Sequence, residues 1–255
     1  MTDEALYGRG ISTAVECWSR FARSVDGAAV HRRRHVDVAV FSQGPEKAIY
    51  NNAVLARGMG AAERDEAVGA MEDIYATAGV AGYAAWVHEG EIDTREELAR
   101  RGYRVATSTR AMGMQRQGFR DFPSALEIAA AGWPEHKRII DVDPTLLGAA
   151  DLGAFEVLVA SEAGESVATG MSFDFEGDCG IYNVTTVESA RRRGIGAALT
   201  AKLVRDAWRR GCETATLQAT PVAERVYASV GFRDLGRIVE YTRDQLEPEL
   251  VSPRR

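Results

Sequence analysis

Arg191-Arg192-Arg193-Gly194-Ile195-Gly196 is followed at once by Ala197-Ala198-Leu199, and the reading of this stretch decides the fold. Downstream of it, Ile195, Leu199, Leu203 and Ala207 recur at helical spacing, so Gly194 to Arg210 reads as an amphipathic helix. Gly211 follows where a C′ glycine belongs. Upstream, Gly180 to Val187 reads as a strand. Strand, glycine-arginine loop and helix together form a pyrophosphate cradle. A helix N-terminus offers N–H groups without intrahelical partners and the positive end of the dipole. Glycines let the backbone approach a ligand with no Cβ in the way, and arginines add charge-assisted contacts to phosphate. The plain alternative is a solvated charge cluster; the position of the arginines directly before Gly194 favours phosphate.

Two loop types are excluded by neighbouring residues. A P-loop needs Lys followed by Ser or Thr after its last glycine, and Ala197-Ala198 stand there. A dinucleotide fold needs a third small residue where Leu199 stands, and an acidic residue about 20 positions on. Glu213 is the nearest such residue, but it falls at the start of the next strand. The preceding strand also arrives through an antiparallel meander: Phe155 to Ser161, the turn Glu162-Ala163-Gly164, Ser166 to Asp174, the turn Glu176-Gly177-Asp178, then Gly180 to Val187. After Gly211, Cys212 to Ala219 alternates like a strand. Pro221 opens a helix to about Val230, Gly231 stops it, and Phe232 begins a last strand.

This stretch resembles the GCN5-related N-acetyltransferases (GNATs). Their Arg/Gln-x-x-Gly-x-Gly/Ala signature is met by Arg191, Gly194 and Gly196. Their Ala-x-x-Leu-Tyr-x-x-x-Gly-Phe signature reads Ala223-Glu224-Arg225-Val226-Tyr227-Ala228-Ser229-Val230-Gly231-Phe232. The resemblance covers the last 100 or so residues closely and the first half in outline. It implies acetyl-CoA as cosubstrate, with no metal, lying where the fourth and fifth strands splay. The backbone near Val187 would bond the pantetheine arm. The amides from Arg192 through Arg193, Gly194, Ile195 and Gly196 to Ala197 would hold the pyrophosphate, with Arg191 beside them. The acceptor amine would attack the thioester directly, a backbone N–H of the fourth strand would meet the developing oxyanion, and Tyr227 would protonate the leaving thiolate. Without the signature, Tyr227 reads as a core aromatic with its hydroxyl tied to backbone. One departure is Thr220, where many members carry Asn; a hydroxyl remains for the pantetheine. The fourth strand holds no carboxylate, so the general base is open among Glu156, His136 and Glu240, with Glu188 too close to the phosphates.

The first half repeats the order helix, strand, helix, Gly-aromatic, strand. Ala61 to Ala78 reads as a helix, with Ala67, Met71, Ile74 and Tyr75 on one face, ended by Gly79. Gly82 to His88 reads as a strand, Thr94 to Glu97 as a capping box, and Gly102-Tyr103 as the next stop and start. Leu98 stands where Tyr227 stands in the other copy, and Glu63 and Asp65 occupy the first turn after Gly58-Met59-Gly60. We therefore expect an α/β fold of mixed, mostly antiparallel sheet flanked by helices, in two tandem GNAT-like units. A degenerate copy would span 1–118, a linker 119–123 and the acetyltransferase domain 124–255. Ser124 to Glu127 reads as a capping box and Asp143-Pro144 as a helix start. The N-terminal copy is expected to be catalytically silent, with Trp86 to His88 and Asn51-Asn52 as contributors to a substrate pocket wall.

Composition sets the remaining bounds. The chain has 255 residues and a formal net charge of −6, which draws in neither nucleic acid nor an anionic membrane. The polar, acidic start Met1-Thr2-Asp3-Glu4 is not a secretory signal, and no apolar run reaches a membrane span. Cys17, Cys179 and Cys212 are odd in number and have no metal spacing, and neither do the four histidines, so a cytoplasmic protein with buried thiols is expected. The expected partner is a small-molecule amine, and a homodimer is compatible with the sequence. A regulatory CoA-binding module and a peptide or protein N-acetyltransferase are the alternative functions.

Overall fold

The computed structural model describes residues 1–146 and 152–243. The tail from Pro248 to Arg255, which from sequence reads as a frayed end, lies outside them. The elements run α1 (Asp3–Ala22), β1 (Ala28–Arg32), β2 (Val36–Phe41), β3 (Asn52–Leu55), α2 (Ala61–Thr77), β4 (Ala84–His88), α3 (Ile92–Arg100), β5 (Arg104–Gln115), β6 (Glu127–Ala130), α4 (Trp133–Ile140), β7 (Phe155–Glu162), β8 (Glu165–Phe175), β9 (Asp178–Thr186), α5 (Ile195–Arg210), β10 (Thr214–Ala219), α6 (Glu224–Val230) and β11 (Arg233–Thr242). The fold is mixed α/β; β9–β10 and β3–β4 pair parallel, and β1–β2, β2–β3, β4–β11, β5–β10, β6–β7, β7–β8 and β8–β9 pair antiparallel.

The chain forms two compact units that interleave in sequence. One holds Met1–Cys17 and Arg110–Leu235; the other holds Trp18–Thr109 and the chain from Gly236 onward. The reason is visible in the ladders. β5 follows α3 in the N-terminal half but pairs antiparallel with β10 from Arg110 to Gln115. β11 follows α6 in the C-terminal half but pairs antiparallel with β4 from Ile238 to Tyr241. The expected boundary at 119–123 thus separates two stretches of sequence, not two compact units.

In the first unit, β6 to β9 form the meander, with hairpin turns in which Ala163, Gly164, Glu176 and Gly177 all take positive φ. Helix α5 buries Ile195, Leu199, Leu203 and Ala207 on the meander, at a gain of about 1.5–3 kcal/mol for each large side chain. Gly170 on β8 lets it approach: a Cβ there would lie 3.2 Å from Leu203 Cδ1 and 3.3 Å from Leu199 Cδ2. Gly211 (φ 102°) ends α5 as expected.

Three local expectations change. Ser124 to Glu127 caps no helix: Ser124 Oγ accepts the Leu126 N–H within a turn, and β6 begins at Glu127. The local pattern is the same for a cap and for a turn, and pairing with β7 decides. Thr94 lies inside α3, whose N-cap is Glu91. Asp143-Pro144 forms a turn through Leu146, tied by Asp143 Oδ1 to the Thr145 N–H at 2.7 Å; the next residues lie outside those described. The stretch expected to be a linker is packed down. Phe119 sits edge-on to Trp208, Phe119 and Phe122 join the core, and the Arg120 N–H donates to Val230 O at 2.8 Å. Two phenylalanines in a short polar stretch have apolar area to bury, and that outweighs the loop-like composition.

The second unit orders its strands β1-β2-β3-β4-β11. Ala67, Met71 and Tyr75 of α2 are buried as the periodicity required, with Ile74 at the margin.

Candidate active site

Strands β9 and β10 run parallel, but their register covers only Asp178–Ile181 against Thr214–Leu217. Beyond that the strands part. The closed end is pinned by Asp178, which is 1% exposed. Its carboxylate accepts from Thr13 Oγ1 (2.8 Å), Thr216 Oγ1 (2.6 Å) and Thr214 Oγ1 (2.7 Å). Three donors satisfy a charge that burial otherwise disfavours, and burial still pushes the carboxyl above its usual range. At the open end, β9 carries a bulge. Thr169 pairs with Thr185 and Met171 with Tyr182, so Asn183 and Val184 lie opposite Gly170 alone, and Asn183 takes φ 54°. A bulge bends the strand and turns its main-chain groups out of the ladder.

The glycine-arginine loop closes this open end. Gly194 takes φ 80° and Arg192 φ 62°, both in the left-handed region. Strained backbone of this kind concentrates at ligand sites. The first ladder bond of α5 is Ala198 N–H to Gly194 O at 3.0 Å, so the amides of Arg192 to Ala197 precede it and stay available to an anion. A Cβ on Gly194 would meet only Phe122 Cε1 at 3.7 Å. A Cβ on Gly196 would meet Thr186 Oγ1 and Val226 Cγ1 at 3.8 Å. These donors and this open space fit a pyrophosphate.

The three arginines are not equivalent. Arg191 Nε donates to Thr186 O at 3.1 Å. Arg193 is engaged by Glu162 in a two-pronged pair, Nη1 to Oε2 at 2.8 Å and Nη2 to Oε1. That pair holds the Glu162 carboxyl below its usual range. The side chain of Arg193 is therefore turned to the β7–β8 hairpin and not left for phosphate; its backbone N–H remains in the loop. Arg192 is exposed and has no side-chain partner among the described residues. At Val187 the N–H donates to Val167 O at 2.9 Å and the carbonyl accepts from the Ala190 N–H. The main-chain groups left for a pantetheine arm are those of β9 past Ile181. Thr220 is exposed at the end of β10, its carbonyl accepting the Ala223 N–H at 2.9 Å.

Tyr227 lies on α6, 7% exposed, with its ring 6.2 Å from that of Phe232 in an edge-on contact. Its hydroxyl has no hydrogen bond to the described residues, unlike the backbone-tied hydroxyl of a purely packing tyrosine. Tyr75 shows that alternative, donating to Ala39 O at 3.0 Å. Burial pushes the Tyr227 phenol up to about 12, so it holds its proton at neutral pH.

The base candidates separate. Glu156 pairs with Arg210 Nη1 at 2.7 Å and is structural. His136 is fully buried; Thr169 Oγ1 donates to Leu158 O, so His136 Nδ1–H donates to Thr169 Oγ1 at 2.8 Å. Burial lowers its pKa to about 4, which makes it a weak base. Glu240 sits in the second unit with its pKa raised by burial to about 7. Asn51 and Asn52, expected at a pocket wall, are engaged by backbone instead: Asn51 bonds Phe41 N–H, Phe41 O and Lys47 O, and Asn52 bonds Ile49 O.

The second unit repeats the parallel pair and its helix as β3-α2-β4, yet its loop is closed to an anion. The Gly60 N–H donates to Glu63 Oε2 at 2.9 Å and the Gly58 N–H to Glu91 Oε2 at 2.8 Å.

Residues 153–234 match the family model described as an acetyltransferase (GNAT) domain. The chain carries a GNAT domain. Solved structures extend the likeness to most of the chain. A GCN5-related N-acetyltransferase from Kribbella flavida superposes with a TM-score of 0.70 at 17% identity, covering 91% of this chain and 94% of its own. One from Sphaerobacter thermophilus gives 0.57 at 16% identity over 81% and 76%. The glucosamine N-acetyltransferase region of a fungal multi-domain β-N-acetylglucosaminidase gives 0.56 at 13% identity, over 87% of this chain and 34% of that one. At these identities the likeness is one of fold. No curated protein sequence matches the chain. Among the described residues no group of side chains has the makings of a metal site, and no helix is long and apolar enough to cross a membrane.

Proposed function

We propose that the GNAT domain transfers an acetyl group from acetyl-CoA to the primary amine of a small molecule by direct attack. The observation that carries this is the parting of β9 from β10 past Ile181 and Leu217, with the unpartnered amides of Arg192 to Ala197 at the open end. The loop amides and Arg192 hold the pyrophosphate; bound there, acetyl-CoA supplies the thioester. A β9 main-chain N–H released by the bulge meets the developing oxyanion. The neutral amine attacks the carbonyl carbon, the C–S bond breaks, the nitrogen loses its surplus proton to solvent, and Tyr227 gives its proton to the departing sulfur and regains one from solvent. With the phenol raised to about 12 and a thiol of pKa ~8.5, the transfer runs uphill, and the negative charge developing on a buried sulfur as the C–S bond breaks drives it. That one protein of similar fold is a glucosamine N-acetyltransferase region supports a small-molecule acceptor. The test is thiol release from acetyl-CoA with a panel of small amines and a lysine-containing peptide. Release with small amines alone is expected. Tight CoA binding with no release from any amine marks a regulatory CoA-binding module instead, and release with the peptide alone marks a peptide acetyltransferase.

A further inference from the structure

Within the second unit, Trp86 on β4 and Glu240 on β11 are direct cross-strand partners, so their side chains share one face of the sheet. The opposite face is the packed one, carrying Ala85, Val87, Val239 and Tyr241 into the core with α2. On the Trp86 face, Trp18 of α1 meets Trp86 at 5.0 Å between ring centroids and 74° between planes. Two polar groups here lack partners. Trp86 is 9% exposed and its Nε1–H is buried with no acceptor. Glu240 is partly buried, and no donor or cation among the described residues reaches its carboxylate. Its neighbours along the strand on the same face, Ile238 and Thr242, bring no charge. The indole N–H without an acceptor carries a desolvation cost that folding alone does not require, and a partly buried carboxylate with no cation stands in the adjacent register position.

We propose that this face is a binding site for a small molecule bearing a primary ammonium group, with Glu240 as the counter-charge and Trp86 and Trp18 as aromatic walls. Three features choose this ligand. A carboxylate repels an anion. A partly buried carboxylate without a cation is completed by one. Indole rings attract a cation over their faces, most strongly where water is excluded. The Trp86 Nε1–H adds a donor that an oxygen elsewhere on the ligand satisfies. The raised pKa of Glu240 reports the same incompleteness, since a bound ammonium would bring it back down. The site stands on the second unit's own geometry and goes beyond the amine-acetylation reading.

The experiment is calorimetry on the full chain without CoA, using an alkyl monoamine, an α,ω-diamine and the alcohol of matching length as probes. The amines bind and the alcohol does not. Glu240→Gln weakens amine binding by about tenfold or more, the loss of one buried charge pair. Trp86→Phe, which keeps a ring and removes the Nε1–H, weakens it less; it carries the test if Glu240→Gln fails to fold by its thermal midpoint. Equal binding of amine and alcohol, amine binding untouched in both variants, or no amine binding at all overturns the site. Thiol release separates this from the functional reading. Amine binding lost in Glu240→Gln with no acetyl transfer by the parent keeps the site and removes the enzyme. Acetyl transfer by the parent with amine binding untouched in Glu240→Gln keeps the enzyme and removes the site.

Discussion

Tyr227 and Gly196 sit in the same unit but control different steps, and substitution separates them. Tyr227→Phe removes only a hydroxyl that has no hydrogen bond to the described residues, so folding should be unaffected. We expect kcat to fall by about 10²–10⁴-fold with CoA affinity nearly unchanged, the signature of a group acting as the thiolate leaves. A steady-state and binding comparison checks it, and an undiminished kcat with chemistry rate-limiting returns Tyr227 to packing. Gly196→Asp does the reverse. Its backbone is not in the positive-φ region and a Cβ finds 3.8 Å clearances, so the fold accepts the side chain. The new carboxylate lies where phosphate belongs and should weaken CoA by about tenfold or more. Unchanged affinity in a titration would remove the pyrophosphate from this loop. At Glu240 the prediction concerns pH. Its carboxyl titrates near 7 in the folded chain against about 4.5 unfolded, so between those values the folded state holds more protons and stability falls as pH rises. Glu240→Gln escapes that loss. It should be more stable than the parent by about 1–3 kcal/mol at pH 8 and show no such gain at pH 4, in denaturant unfolding at the two values.

At the scale of elements, the turn from α6 into β11 is the least forgiving point. Gly231 takes φ 114°, and a Cβ there would fall 2.0 Å from the Gly118 carbonyl oxygen. Gly231→Ala must both adopt a disfavoured backbone and push the 116–118 turn away, while Arg120 still bonds Val230. A loss above about 2–3 kcal/mol is expected, from strain and overpacking together. A parent-like midpoint in denaturant would mean that this approach is loose. The β9–β10 pair shows how an element becomes a site: Asp178 and three threonines hold one end shut, and past Leu217 no ladder holds the other.

Over the whole molecule, two parallel strand pairs with their helices are present among the described residues, and the β9–β10 pair is the one whose loop amides stay open to an anion. In the second unit the amides of Gly58 and Gly60 are engaged by Glu91 and Glu63, and Leu98, in place of a proton donor, is fully buried. Titration of the intact chain should give one CoA equivalent. A second equivalent displaced by substitution at Gly58 or Gly60 would show the N-terminal copy to be active after all.

What the sequence determined by itself is local. Helical spacing in α5 and α2, the stopping glycines Gly211, Gly231, Gly79 and Gly102, and the hairpin turns of the meander are all short-range effects of backbone freedom and apolar periodicity, and they sit where the residues placed them. The glycine-arginine loop before α5 was legible for the same reason. Helix α1 has an apolar face in Leu6, Ala14, Trp18 and Phe21, but no glycine stop or signature marks its bounds in the sequence. Tertiary structure alone decided the rest. That β5 completes the first unit and β11 the second depends on which distant edge each strand finds, and an alternating strand fits either. That Arg193 turns to Glu162, and that Glu63 and Glu91 stop the second loop, depends on side chains brought together across about 30 residues of sequence or more, or on which of two amides a carboxylate reaches first. Charge in a sequence names what a residue offers; only the fold chooses its partner.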